Sequence, residues 1–322
     1  MPAQAQSVPT PAGSERLVVS VTPTTATSGS PQGTATAAAG QCNVFSRTHV
    51  CQTVRVTVQL LRNTTVVGQA MFTATHQMTL NTKSVHWSET VSYSKATLTG
   101  EAGGVLMNVT PVCGLPCKAT SHIKPHTVGA AFSGTVSYSD GVRKNKTHNT
   151  ATRYTYSFTK LGFTPAGGSY SSLSYRCDDT FWNAANTRRT LSAGCVFPRF
   201  TPTITTMQAL PDISRNIRTI QGRGGHYGRF GSGHPLHRLV DATRSRANRD
   251  AVCPPNRRPP HPGLECDEYP FATTQEGGTA LPAASRGTAW VPATEQRQQG
   301  GRVLTFVKAQ RLLDRDAYWV QV

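Results

Sequence analysis

Acids are scarce in this sequence. Its 322 residues include 16 Asp and Glu against 33 Lys and Arg, a formal net charge of +17. Such an imbalance favours a polyanionic partner, through counterion release and long-range steering. Long apolar runs are also missing. No stretch approaches the roughly 18 residues of a membrane-spanning helix. The first residues, Met1-Pro2-Ala3-Gln4-Ala5-Gln6, have neither the charged start nor the apolar stretch of an export signal. Ala3-Gln4-Ala5 has the small-x-small form of a cleavage site, so an export signal is expected to have been removed or to lie upstream.

The eight cysteines fall into near neighbours: Cys42/Cys51, Cys113/Cys117, Cys177/Cys195 and Cys253/Cys266. An even number in local pairs points to four disulfides, an oxidising compartment and a secreted, extracellular protein. Spacing alone leaves the connectivity open. Zinc is the rival reading, and Cys113-Gly114-Leu115-Pro116-Cys117 supplies half a site. No second pair of Cys or His stands at a matching interval, so disulfides are preferred.

Composition divides the chain into three. Residues 1–40 are Ala, Thr, Ser, Pro and Gly with few large apolar side chains, which predicts a disordered leader or linker. Residues 41–205 lack helical periodicity and alternate instead. Val54, Val56, Val58 and Leu60 are interleaved with Arg55, Thr57 and Gln59; Tyr154, Tyr156 and Phe158 alternate with Thr155 and Ser157. Period two places one row of side chains on each face of a strand, so an all-β antiparallel, sandwich-like module is expected. It shows no catalytic constellation, and its ligand is unknown. Its scattered histidines (His76, His86, His122, His126, His148) read as half-buried sheet residues.

Residues 206–322 read as a small α+β domain. Ile213, Ile217 and Ile220 fall on one face of a helix that Pro211 starts and Gly222 follows. Leu236 to Val240 reads as a strand, and Asp241 as the N-cap of a helix over Ala242 to Arg249. A strand through Tyr269 to Ala272, a turn at Glu276-Gly277-Gly278, a helix over about Gly301 to Leu313 and a last strand from Tyr318 complete the domain.

The scarce acids are concentrated here. The stretch Cys266-Asp267-Glu268-Tyr269-Pro270-Phe271-Ala272-Thr273-Thr274-Gln275-Glu276-Gly277-Gly278 holds three of the sixteen. Just upstream, ten arginines and no lysine lie between Arg215 and Arg258. Carboxylate oxygens suit hard divalent cations such as Mg²⁺ and Mn²⁺, and guanidinium forks suit phosphates. Acids beside arginines therefore read as metal-assisted chemistry on a phosphodiester.

Cys266-Asp267-Glu268-Tyr269-Pro270-Phe271-Ala272, the Glu276-Gly277-Gly278 turn and Val291-Pro292-Ala293-Thr294-Glu295-Gln296-Arg297-Gln298-Gln299-Gly300-Gly301 resemble the NucA/NucB family of secreted bacterial deoxyribonucleases. The longer, actinobacterial-type members are the most similar. The likeness extends to Leu236-His237-Arg238-Leu239-Val240-Asp241, Ala247-Asn248-Arg249, Leu313-Asp314 and Tyr318-Trp319-Val320, and so covers about the last 120 residues.

The resemblance implies a ββα-metal-like site. In it Asp241 is general base and Glu276 holds one divalent metal, Mg²⁺ or Mn²⁺. Asp267 and Glu268 alternate across a strand, so at most one of them reaches the metal directly and the other is expected to pair with an arginine. Asp267 stands as a metal candidate and Glu268 as the inward-facing catalytic one. His237 is a rival base. Arg238 and Arg249, with Arg244 and Arg297, are expected on phosphates. Three positions depart from the family: Gln296 where Asn is expected, Asn216 where His is common, and Asp314-Arg315-Asp316 in place of Asp-Gly-Asp.

The expected function is a secreted, metal-dependent, sequence-nonspecific DNA endonuclease. Backbone recognition need not sense the 2′-hydroxyl, so RNA stands beside DNA as a substrate. The rival readings are a non-catalytic basic adhesin that binds extracellular DNA, and an interbacterial toxin whose warhead is the C-terminal domain.

Overall fold

The computed structural model describes residues 15–24, 42, 45–183, 185–256 and 259–322. The chain is mostly β with few helices, and it divides into two compact units between Phe197 and Pro198.

The first unit holds β1 (Arg16–Pro23), β2 (His49–Arg62), β3 (Thr65–Thr79), β4 (His86–Tyr93), β5 (Thr97–Gly100), β6 (Leu106–Cys113), β7 (Cys117–Ser121), β8 (His126–Thr127), β9 (Phe132–Asp140), β10 (Thr147–Thr150), β11 (Thr152–Lys160), β12 (Phe163–Ser171), β13 (Tyr175–Asp178) and β14 (Gly194–Val196). One large sheet runs β7-β9-β4-β3-β2-β1-β12-β11-β6-β8. Its pairs are antiparallel except at β1–β12, where a single parallel register pair, Arg16 with Thr164, joins the two halves.

The halves face each other, because the buried residues of one touch those of the other. Phe72 on β3 lies 6.4 Å from Phe158 on β11, and His76 lies 4.2 Å from Tyr154. Val54, Val56, Val58, Leu60, Tyr154, Tyr156 and Phe158 are all fully buried, the rows that the period-two alternation picks out. The expected sandwich thus takes the form of one curled sheet.

The leader reading needs a correction. Arg16–Pro23 is a strand paired along its length with β2, and Leu17 is buried. Its short run of apolar residues is masked in the composition by the Thr-, Ser- and Pro-rich sequence around it. The rest of that segment, residues 1–14 and 25–40, lies outside the described residues.

The four disulfides are Cys42–Cys51, Cys113–Cys117, Cys177–Cys195 and Cys253–Cys266, and no cysteine is free among the described residues. No described helix is long and apolar enough to cross a membrane.

The second unit holds β15 (Thr203–Ile204), α1 (Pro211–Gln221), β16 (Leu236–His237), α2 (Ala242–Val252), β17 (Leu264–Tyr269), β18 (Gly287–Pro292), α3 (Ala293–Ala309) and β19 (Ala317–Val320). In α1, Ile213, Ile217 and Ile220 are buried as their spacing requires, with Pro211 in the first turn and Gly222 as C-cap. β15 and β16 flank β19, and β17 pairs antiparallel with β18.

Three boundaries differ from expectation. The strand expected at Tyr269–Ala272 lies earlier, at Leu264–Tyr269, and Pro270, which has no N–H to give a ladder, follows its last residue. Helix α3 begins at Ala293, directly after Pro292, and carries Gly300 and Gly301 in its interior rather than starting there. The strand expected over Leu236–Val240 is reduced to Leu236–His237, which pairs with β19.

Candidate active site

β17 brings the acids in, and the next elements close around them. Asp267 points into the unit and is fully buried. Its Oδ2 accepts from Asn216 Nδ2 of α1 at 2.7 Å, and its Oδ1 accepts from Gln299 Nε2 of α3 at 2.9 Å. With the Gln296 amide turned so that its nitrogen faces Asp267 Oδ1 at 3.2 Å, its oxygen accepts from Arg249 Nη1 at 3.1 Å. Three side-chain amides thus surround one carboxylate.

Glu268 faces Arg249 of α2. Arg249 Nη1 lies 3.3 and 3.1 Å from the two carboxylate oxygens, and Nη2 donates to the Cys266 carbonyl at 3.2 Å. The result is a chain of contacts from Glu268 through Arg249 and Gln296 to Asp267. The Cys253–Cys266 disulfide staples the C-cap of α2 to β17, next to both acids.

Burial pushes the Asp267 carboxyl up to about 6, against the pull of the Asn216 and Gln299 amides and the Arg249 charge. It pushes Glu268 up to about 7, against Arg249 and with help from the neighbouring Asp267 charge. Desolvation disfavours a carboxylate, and one guanidinium stands against two buried acids here.

Glu268 is only 6 % exposed, yet it forms part of the lining of an open cleft of about 700 Å³. Arg238, Arg246, Arg249 and Arg297 line the same cleft, together with Glu265, Gln296 and Gln299. Arg238 and Arg297 are thus both in the cleft lining, and Arg238 Nη1 donates to the Leu312 carbonyl. Arg244 reaches Gln275 Oε1 at 3.3 Å instead, and Arg257 and Arg258 lie outside the described residues.

Asp241 and Glu276 do not join this cleft lining. Asp241 is exposed, and one of its oxygens accepts from the backbone N–H groups of Thr243 and Arg244 at 2.9 and 3.0 Å, an N-cap of α2. Glu276 accepts from the His237 backbone N–H at 2.8 Å and pairs with His237 Nδ1 at 2.7 Å. His237 and Glu276 thus latch the Glu-Gly-Gly turn to β16.

The glycines of that turn have a packing cause. A Cβ on Gly277 would meet the Phe271 carbonyl oxygen at 2.6 Å; one on Gly278, whose φ is +64°, would meet Asn248 Cα at 2.8 Å. Asn248 in turn donates to the carbonyls of Ala272 and Thr274 at 3.0 and 3.2 Å. This clamp seats α2 so that the next residue, Arg249, reaches Glu268.

Asn216, Gln299, Glu265 and Arg246 were not singled out as site residues by sequence reasoning. Amides carry no charge to attract notice, and Asn216 stood out only as a departure from the family. The i, i+3 spacing of Gln296 and Gln299 on a helix was the available signal. Among the described residues no three His, Cys, Asp or Glu side chains are grouped so as to cage a metal ion.

Residues 233–321 match the family model described as Deoxyribonuclease NucA/NucB. No curated protein and no solved structure matches the chain.

Proposed function

From the premise that residues 233–321 form a NucA/NucB deoxyribonuclease domain, we propose that the chain is a secreted, metal-dependent DNA endonuclease without sequence specificity, and that its reaction centre is the cleft over Glu268. The observation that carries this is the pairing of Glu268 with Arg249 at the floor of a cleft lined by four arginines. Arginine forks hold phosphodiester oxygens in pairs and read no base edges, which supports backbone recognition. RNA presents the same phosphates.

Glu268 accepts the proton of the attacking water at its carboxylate. A proton acceptor near 7 is matched to neutral pH, where it is available as the base and still strong enough to draw the proton. Arg249 fixes the Glu268 carboxylate and lies close enough to neutralise charge developing on the phosphoryl oxygens. Asp267 holds Arg249 indirectly through Gln296, and Asn216 and Gln299 fix Asp267 in turn. Arg238, Arg246 and Arg297 position the strand.

The donor chemistry fits a hard divalent cation of the Mg²⁺ or Mn²⁺ class. Glu265 and Glu268 bring oxygen donors to the cleft, and one guanidinium leaves the buried acids under-compensated. Glu265, the acid of the lining that is not used as the base, would hold a single cation that keeps most of its water, the arrangement such ions favour over an all-protein cage. When bound it would polarise the scissile phosphoryl oxygen. Asp241, expected as the base, and Glu276, expected as the ligand, are assigned here to the α2 cap and the turn latch. The four disulfides support an extracellular setting.

The test is supercoiled plasmid incubated with the full chain in Mg²⁺ or Mn²⁺, with and without chelator. Nicking that chelator abolishes supports the proposal. Plasmid that is shifted but intact under every condition identifies a DNA-binding protein instead.

A further inference from the structure

The cleft over Glu268 changes chemistry along its length. Helix α3 presents Gln296, Gln299, Gly300, Val303, Leu304 and Val307 to it, one helical face about 16 Å long at 1.5 Å per residue. The first two are the amides around Asp267, and the last three are branched and apolar. The opposite wall runs from Arg249 back through Arg246, Ser245 and Ala242 to Val240 and Leu239. Both walls start at the contact between Gln296 and Arg249; the α3 wall becomes apolar away from it, and the other ends at Leu239 and Val240 beside Arg238, whose guanidinium donates to the Leu312 carbonyl.

Leu304 and Val240, at the apolar end, are each 53 % exposed. Two branched side chains held open to water, at one end of a cleft whose other end is arginine and carboxylate, match a ligand with the same division. A nucleotide has it, with a phosphate at one end and a flat base with apolar faces at the other. The faces of a base are free only when it has left the helical stack. A cavity of about 700 Å³ is the size of a small-molecule site, and Glu268 lies at its floor, where a strand must descend to meet it. A single strand can do so, whereas a duplex keeps its bases covered and its phosphates on a wide cylinder.

We infer that the apolar end of the cleft, Val240, Val303, Leu304 and Val307, is a nucleobase subsite that takes one unstacked base of single-stranded DNA while the adjoining phosphate lies at Arg249 and Glu268. The inference rests on reading the cleft as the nuclease centre, and it adds that the preferred substrate is a single or frayed strand. Contact with the face of a base is sequence-tolerant, because every base has one.

The test measures binding and cleavage separately. Fluorescence anisotropy on the full chain in chelator compares a labelled oligothymidylate, an abasic oligomer of the same length and a hairpin duplex. The oligothymidylate is expected to bind about five- to tenfold more tightly than either of the others, the weight of removing roughly one or two methylene groups' worth of apolar surface from water. Leu304→Ser and Val240→Ser should each remove most of that advantage and leave abasic affinity unchanged. Leu304→Met, which keeps the apolar surface, should retain it. Equal affinity for oligothymidylate and abasic strand overturns the subsite, and so does a Leu304→Ser variant that weakens both alike. Metal-dependent cleavage without base-dependent binding overturns the subsite and leaves the nuclease reading standing. Base-dependent binding with no cleavage in any divalent metal overturns the nuclease reading on which the inference rests.

Discussion

Both units bury acids, and they do so to different ends. In the first unit Glu89 is 1 % exposed and closed in by core. Its Oε1 meets His76 Nδ1 at 2.9 Å, Tyr138 donates to Oε2 at 2.6 Å, and Tyr154 donates to the same oxygen. His76 Nε2 continues to the Tyr156 hydroxyl at 2.8 Å. In the second unit Glu268 is nearly as buried, yet it belongs to the lining of a cleft and has a guanidinium for a partner. A sealed acid can serve only the fold, while one at the floor of an open cleft can serve chemistry. Access distinguishes the two more than burial does.

The sharpest way to break that comparison is to neutralise each acid in turn. Glu268→Gln should lower DNA cleavage by about 10²- to 10⁴-fold, the usual weight of a general base. Glu89→Gln should leave cleavage within about threefold. Comparable losses from both would mean that Glu268 is also structural.

Stability should divide the other way. Glu89→Leu leaves His76, Tyr138 and Tyr154 facing an apolar group in a sealed core, and is expected to cost about 3–5 kcal/mol in denaturant unfolding of the β unit. Glu268→Gln should behave in the opposite sense above neutral pH. The folded carboxyl at about 7 lies above the ordinary value of about 4.3, so the folded state binds the extra proton. Its contribution to stability therefore falls as pH rises from about 4 to about 7. The melting temperature of Glu268→Gln relative to the native chain should accordingly be higher at pH 8 than at pH 5. A difference that does not change with pH would contradict this.

The same shift predicts the acid limb of the rate profile. Cleavage should decline as pH falls through about 7, with Asp267 adding to the loss near 6. A profile flat down to pH 5 would remove Glu268 from the proton-accepting role. A smaller effect is expected at Gln296, whose amide reaches both Asp267 and Arg249. Gln296→Asn shortens that bridge by a methylene and should reduce kcat by about threefold to tenfold, without lowering the melting temperature.

Much of this was legible in the residues. The Val54 to Leu60 and Tyr154 to Phe158 alternations mark two core rows, and the isoleucines of α1 mark its buried face, because each repeats at its element's own period. The α3 boundary was not legible, since Gly300-Gly301 reads locally as a break and only the packing of the unit keeps it helical. Within the site, the adjacency of Asp267 and Glu268 and the arginine of Asn248-Arg249 could be read directly. Asp241 reads two ways, as an acid after a strand and as a helix cap, and in the structure one of its oxygens accepts from the amides of Thr243 and Arg244. Gln299 and Asn216 stayed hidden because their meeting at Asp267 depends on where two helices lie around a hairpin, which no local spacing records.

The most direct test sets Glu268→Gln beside Asp241→Asn in one plasmid-nicking assay with Mn²⁺ at pH 8. Asn is itself a good helix cap, so Asp241→Asn should nick within about threefold of the native rate while Glu268→Gln falls by at least about a hundredfold. The reverse ranking, with Asp241→Asn inactive and Glu268→Gln nearly native, would contradict the placement of the reaction centre at the arginine-lined cleft.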